Sequence, residues 1–292
     1  MADRAARAVW ERPRRGFGAA VAVAVAVVVV LAGGLPAASH AARTTSPSAI
    51  AASQQTIAAK VNSLINRMTV AEKFGQLEMA GPSTPTGSDL IPLAEQGKIG
   101  SVLDLTGVDN INAVQAAAVD NSRLHIPLIF GLDVIHGYQT MFPVPIGEAS
   151  SWDPALVQND EAMSADEATA DGIKWTFNPM VDIARDPRWG RVVEGAGEDP
   201  FLGSAIAAAK VRGYQGTNFA APDKMVATIK HFGAYGAPVA GREYNTVDMS
   251  TQQLFNDYLP PYKAAVDAGA ATVMSSFNSL NGVPNTANPY ML

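Results

Sequence analysis

The chain contains no cysteine. That removes disulfide staples, thiolate nucleophiles and cysteine-bound zinc together, so its 292 residues must rely on a hydrophobic core. Histidine is scarce: the four residues His40, His125, His136 and His231 have no metal-ligand spacing. No metal and no cofactor are expected. No serine lies in a nucleophile elbow. No GxGxxG follows an apolar run, and Gly97-Lys98 lacks both the spacing and the hydroxyl of a phosphate loop.

Charge is missing from one long stretch. Residues 16–42 hold no Asp, Glu, Lys or Arg, and residues 19–31 are nearly all Val and Ala. Five arginines precede that run, Pro36 follows it, and Ser39 and Ala41 put small residues where a signal peptidase reads. This layout predicts a signal peptide over residues 1–41 and a secreted or extracytoplasmic protein. Arg14-Arg15-Gly16-Phe17 resembles a twin-arginine export signal. The competing reading is an uncleaved membrane anchor, since the apolar run nearly suffices to span a bilayer. Beyond residue 42 the chain carries 16 basic and 25 acidic side chains. An acidic domain with no basic patch argues against nucleic acid as a partner.

Residues 42–55 are rich in Ser, Thr and Ala and are expected to form a disordered leader, with one domain over 56–292. Ile57, Val61, Leu64, Ile65 and Met68 recur at helical spacing. Thr69 and Glu72 form a capping box that opens the next helix. Downstream, apolar runs at 99–105, 128–132, 175–180, 225–229 and 272–276 alternate with helical stretches. Asp153-Pro154 and Ser250 with Gln253 mark helix starts, and Gly269 ends the helix that begins at Ser250. Such alternation predicts parallel βα units, in a (β/α) barrel or in an open doubly wound sheet. The polar residues favour the barrel. Asp133, Asp182, Lys230-His231 and Asn278 each follow a different run, and only a barrel brings that many strand ends to one mouth.

Residues 181–200 read VDIARDPRWGRVVEGAGEDP. So many charges among Gly and Pro make a long irregular loop, and such loops are more often functional than not. Arg191 carries a planar fork suited to vicinal hydroxyls or a partner carboxylate. Arg185 and Arg188 are expected to bridge Asp182, Asp186 or Glu194 within the loop, and the carboxylates Asp171, Asp182, Asp186, Glu194, Glu198 and Asp199 to act as its scaffold. Asp133 reads either as a ligand-accepting carboxylate at the barrel mouth or as a helix N-cap. Lys230 at a strand end offers charge-assisted hydrogen bonds, or a Schiff base as in aldolases.

Six stretches together resemble glycoside hydrolase family 3, most closely its exported bacterial β-glucosidases and β-xylosidases. They are GLDVIHG at 131–137, FPVPIGEASSWDPALV at 142–157, NPMVDIARDPRWGRVVEGAGEDP at 178–200, IKHFGAYG at 229–236, the run at 241–269 and VMSSFNSLNGVPNTANPYML at 273–292. The resemblance covers residues 68–292. It implies a (β/α)8 TIM-type barrel, incomplete because the chain ends before the last strands, with a pocket for one terminal sugar. It implies that Asp133, Arg191, Lys230 and His231 grip the sugar hydroxyls and that Phe277 forms the pocket wall. The implied substrate is a β-linked oligosaccharide or an aryl or alkyl β-glucoside, cleaved with retention.

The family's nucleophilic Asp stands in a VVSDW-like motif at the end of the next strand, beyond Leu292. One branch uses an Asp-His dyad after the KHF motif, but no histidine follows His231 here. In the other branch a Glu on a C-terminal domain supplies the acid, again outside these residues. The resemblance thus implies a β-glucosidase-type parent whose two catalytic carboxylates lie beyond Leu292. The alternative is a non-catalytic sugar-binding fragment or pseudoenzyme.

Overall fold

The alternation of apolar runs and capped helices builds one sheet of six parallel strands. These are β1 (Met79–Ala80), β2 (Ser101–Leu103), β3 (Ile129–Leu132), β4 (Trp175–Thr176), β5 (Val226–Phe232) and β6 (Thr272–Ser275). The computed structural model describes residues 47–292, so the signal-peptide reading of 1–41 lies outside the described residues. Each of β2–β6 starts within one of the five expected runs, and β5 extends past its run to Phe232. The remaining strand, β1, lies outside these runs. Neighbours pair in parallel, with one register shift between β5 and β6: Met79 faces Ser101, Val102 faces Phe130, Gly131 faces Trp175, Trp175 faces Val226 and Thr228 faces Thr272. The spatial order runs β1 to β6 without reversal. A doubly wound sheet reverses at its switch point. Addition always at the same edge is barrel growth, and the fold is an incomplete TIM-type α/β barrel.

The helices are α1 (Pro47–Arg67), α2 (Val70–Gly75), α3 (Ile91–Glu95), α4 (Val108–Ala116), α5 (Pro145–Ala149), α6 (Pro154–Ala170), α7 (Pro200–Gln215), α8 (Thr251–Gln253) and α9 (Pro260–Asp267). A hairpin of β7 (Ser279–Leu280) and β8 (Val283–Pro284) follows the sheet. The capping box forms as expected. Thr69 accepts from the Glu72 amide at 3.2 Å, and the Glu72 carboxylate accepts from the Thr69 amide at 2.8 Å. Asp153 caps α6 and Asp199 caps α7, each followed by proline in the first turn.

Two expectations are corrected. The leader expected to be disordered over 42–55 is helical from Pro47 onward, because Pro47 suits a first turn and Ala and Gln are good helix formers. The helix expected from Ser250 to Gly269 is broken into α8, a π turn at Leu254–Tyr258, and α9. Pro260 and Pro261 have no amide hydrogen to continue the ladder. Among the described residues, no helix is long and apolar enough to cross a membrane.

Residues 54–292 form one unit. Val102, Phe130, Val134, Ile173, Met225 and Ala227 pack in its largest apolar cluster, and Val181, Ala207, Val211, Ile229 and Tyr262 in a second. Between α5, α6 and α7 lies a buried ionic cluster. Lys210 on α7 donates to Glu148 on α5 at 2.6 Å and to Glu161 on α6. The helices approach closely there because Gly213 has no Cβ: one would stand 2.6 Å from the Gln158 carbonyl and 2.7 Å from the Glu161 Cβ.

One cation between two buried acids leaves an excess negative charge. Burial pushes the Glu161 carboxyl up to about 7, against the pull of Lys210 and with the help of Glu148. The folded state therefore holds a proton that the unfolded chain, at the ordinary value of 4.5, releases earlier. Stability should fall as pH rises from about 4.5 to about 7, by roughly 1–3 kcal/mol. Glu161→Gln cannot ionise and should flatten this window. Urea midpoints at pH 5 and pH 8, compared between the two proteins, check it; equal slopes would remove Glu161 as the cause.

Candidate functional site

The carboxyl ends of the strands carry the polar residues. Asp133 follows β3, and Lys230 and His231 lie within β5. In a regular strand adjacent side chains point to opposite faces, yet both join the same cluster. The pairing of β5 with β6 is irregular between Ile229 and Phe232, and such a bulge re-aims side chains. The peptide bond between Lys230 and His231 is cis.

Lys230 runs its buried stem up to the mouth and donates to Asp133 at 2.5 Å. The lysine head is nearly covered while 44% of the Asp133 side chain stays exposed, so the acid faces the open side. No helix starts after Asp133, which removes the N-cap reading. Its loop is held from below. Thr176 accepts from the Val134 amide at 3.2 Å, and Tyr214 on α7 donates to the Val134 carbonyl at 2.7 Å. Lys230 is ion-paired and behaves as a cationic donor, which weakens the Schiff-base reading.

His231 is buried between rings. Tyr235 lies 4.9 Å away edge-on, and Phe277 lies 5.3 Å away at a tilt. Phe277 remains half-exposed, and the exposed ring of Tyr244 packs edge-to-face on it at 5.2 Å. Arg191 places its guanidinium 5.6 Å from the centre of the Tyr235 ring. Its Nε and one terminal nitrogen grip Glu194 at 2.7 and 2.8 Å. Burial pushes Glu194 up, but the hydrogen bonds and charge of Arg191 outweigh it and hold the carboxyl below its usual value. All five expected site residues thus connect: Asp133 to Lys230 by charge, Lys230 to His231 by chain, and His231, Phe277 and Arg191 through Tyr235 or directly.

The loop at 181–200 is partly as expected. Arg188 pairs with Asp186 at 2.6 Å and Asp199 caps α7. Arg185 does not bridge within the loop. It reaches Asp257 in the π turn at 2.8 Å and lies over the Tyr258 ring. Asp182 is more than scaffold, since it binds His231 directly.

Three contributors escaped the sequence reading. Asp104 ends β2 as Asp133 ends β3, and burial, then the charge of Asp133, pushes its carboxyl up. Its signal was an acid inside an apolar run. Tyr244 joins the aromatic rim, and Glu243 accepts from the Tyr235 hydroxyl. Among the described residues, no group of three or more His, Asp or Glu is placed to hold a metal ion.

A barrel-type α/β domain whose strand ends converge on a mixed-charge, aromatic-rimmed mouth has the layout of an enzyme's substrate-binding domain. The family model described as Glycosyl hydrolase family 3 N terminal domain matches residues 69–292, and the chain belongs to that family. A periplasmic beta-glucosidase of Salmonella typhimurium is 45% identical over 234 residues, covering 80% of this chain and 30% of the relative. A beta-xylosidase of Formosa agariphila is 35% identical over 204 residues, covering 65% of this chain and 28% of the relative. The crystal structure of a beta-glucosidase from Listeria innocua in complex with glucose superposes with a TM-score of 0.74 at 43% identity, covering 80% of this chain and 34% of that one. The chain spans about a third of the length of these relatives.

Proposed function

We propose that this chain is the sugar-gripping part of an exported exo-acting β-glycosidase, one that releases a terminal non-reducing β-D-glucosyl or xylosyl residue with retention of configuration. The observation that carries the reading is the chemistry of the mouth. A pyranose is neutral, with hydroxyls that both donate and accept and with an apolar C–H face. Asp133 supplies an exposed acceptor and Lys230 and Arg191 supply donors. The half-exposed rings of Phe277 and Tyr244 suit the C–H face. A charged ligand would leave one sign of this cluster unmatched.

Retaining hydrolysis needs two carboxyl groups about 5 Å apart across the anomeric carbon. In this reading the nucleophilic Asp and the acid Glu lie beyond Leu292. The export address rests on the composition of residues 1–41.

The test is binding and turnover by the 292-residue chain. Glucose should bind, and Asp133→Ala should weaken it about 10- to 100-fold, the worth of hydrogen bonds to a charged acceptor. No nitrophenol should be released from an aryl β-glucoside. Equal glucose affinity of the Asp133→Ala chain would overturn the site. Turnover by the chain alone would place the catalytic carboxylates within it.

A further inference from the structure

We infer that Asp182 is a positioning residue that fixes the tautomer of His231, so that His231 presents an acceptor to the sugar beside the donor Lys230. This rests on the sugar-binding reading above and adds the direction of one hydrogen bond to it.

Asp182 follows β4, and its side chain is fully buried. One carboxylate oxygen, Oδ2, accepts from the His231 backbone amide at 3.0 Å and stands 2.9 Å from His231 Nδ1. The other, Oδ1, accepts from the Tyr262 hydroxyl on α9 at 2.7 Å. Tyr262 stays a donor, because burial and then the neighbouring Asp182 charge hold its phenol well above the usual value. The His231 amide and the Tyr262 hydroxyl, which also lies 2.7 Å from the His231 carbonyl, both face this carboxylate as donors, so it takes the acceptor's part in the Nδ1 contact. An ionised carboxylate only accepts, so the proton of that contact sits on Nδ1. In the neutral form of the ring Nε2 then carries the lone pair, and Nε2 makes no hydrogen bond to any described residue. The hydrogen bond at one nitrogen dictates the role of the other. Tyr235 and Phe277 pack against the ring and hold its plane.

Adjacent residues therefore divide the work. Lys230 can only donate, and His231 Nε2 can only accept. A sugar hydroxyl placed there must bring its own proton. Fluorine does not donate, so replacing that hydroxyl by fluorine should cost as much as deleting it. A donating Nε2–H would instead tolerate fluorine better than hydrogen.

The test has two arms. First, nitrogen-15 NMR of the full chain labelled at histidine, with His231→Gln used to assign the signal, reads the tautomer without any ligand. At pH 7.5 Nδ1 should be of the protonated, pyrrole type and Nε2 of the pyridine type. The reverse pattern, or two protonated nitrogens, overturns the inference. In Asp182→Asn, whose amide can donate to Nδ1, the proton should move to Nε2. The wild-type spectrum stands even where that variant fails to fold.

Second, glucose is compared with its 2-, 3-, 4- and 6-deoxy and matching deoxyfluoro derivatives. One position should lose about three- to tenfold in affinity equally for both. Retention by the fluoro sugar at every position overturns the acceptor role. The expected tautomer without any sugar binding overturns the sugar-site reading and leaves the Asp182–His231 assignment standing.

Discussion

Lys210→Ala is expected to destabilise the fold by about 3–5 kcal/mol. The lysine is fully buried between Glu148 and Glu161, which are as buried as it is. One oxygen of each glutamate already lacks a partner among the described residues. Removing the only cation leaves two like charges in a low-dielectric pocket. Glu161, already pushed up to about 7, will take a proton, but Glu148 is left with nothing opposite it. The damage reaches beyond the helices. Tyr214 stands one turn after Lys210 on α7 and donates to Val134, beside Asp133, so a loosened α7 relaxes the floor of the mouth. Urea unfolding of the single variant measures the cost. Lys210→Met combined with Glu148→Gln and Glu161→Gln should recover most of it, because breaking an ion cluster costs far more than replacing it whole. A single variant within about 1 kcal/mol of wild type would show that the cluster is not buried as described.

That cluster was invisible in the sequence, and the reason is physical. Lys210 sits in an alanine-rich stretch of α7 with no acid beside it, and its partners lie 62 and 49 residues away. Pairing is a property of the packed helices, not of any local pattern. Arg185 shows the same limit: nearby acids invited a bridge within the loop, and the fold offered Asp257 instead. What local pattern does encode came through. Strands β2 to β6 were legible because each starts in an apolar run ended by a polar group, and the caps at Thr69, Asp153 and Ser250 because their hydrogen bonds span up to three residues. The strand β1 lies outside those runs, whereas β4, equally short at two residues, was legible because the run at 175–180 contains it. Four site residues, Asp133, Arg191, Lys230 and His231, stood out as charges at run ends or in the loop; Phe277 and the full set came from family motifs. Asp182 was legible as a loop carboxylate but not as the partner of His231, since sequence counts acids without saying what they face.

Trp189→Ala should cost about 3–5 kcal/mol and should also weaken sugar binding in the molecules that remain folded. Trp189 is the largest fully buried side chain of the loop at 181–200. It packs with Met180, Ala184 and Tyr235, its ring edge-on to Tyr235 at 5.3 Å. The chain closes tightly around it: a Cβ on Gly236 would lie 3.3 Å from the indole and 2.2 Å from the Ile183 carbonyl. So tight a shell collapses poorly into a void, which puts the cost at the upper end for a core truncation. The indole N–H finds no acceptor among the described residues. Trp189→Phe discards that orphan donor along with some volume and should cost clearly less than the alanine variant. The functional consequence follows from Tyr235, whose ring touches Trp189 on one side and His231, Phe277 and the Arg191 guanidinium on the others. Without the indole behind it, Tyr235 no longer fixes those three groups. Glucose affinity measured well below the melting temperature should drop about tenfold or more for Trp189→Ala, and far less for Trp189→Phe. If the folded alanine variant binds glucose as the wild type does, the aromatic cluster serves stability alone and the site is held by the Asp182 and Asp133 contacts without it.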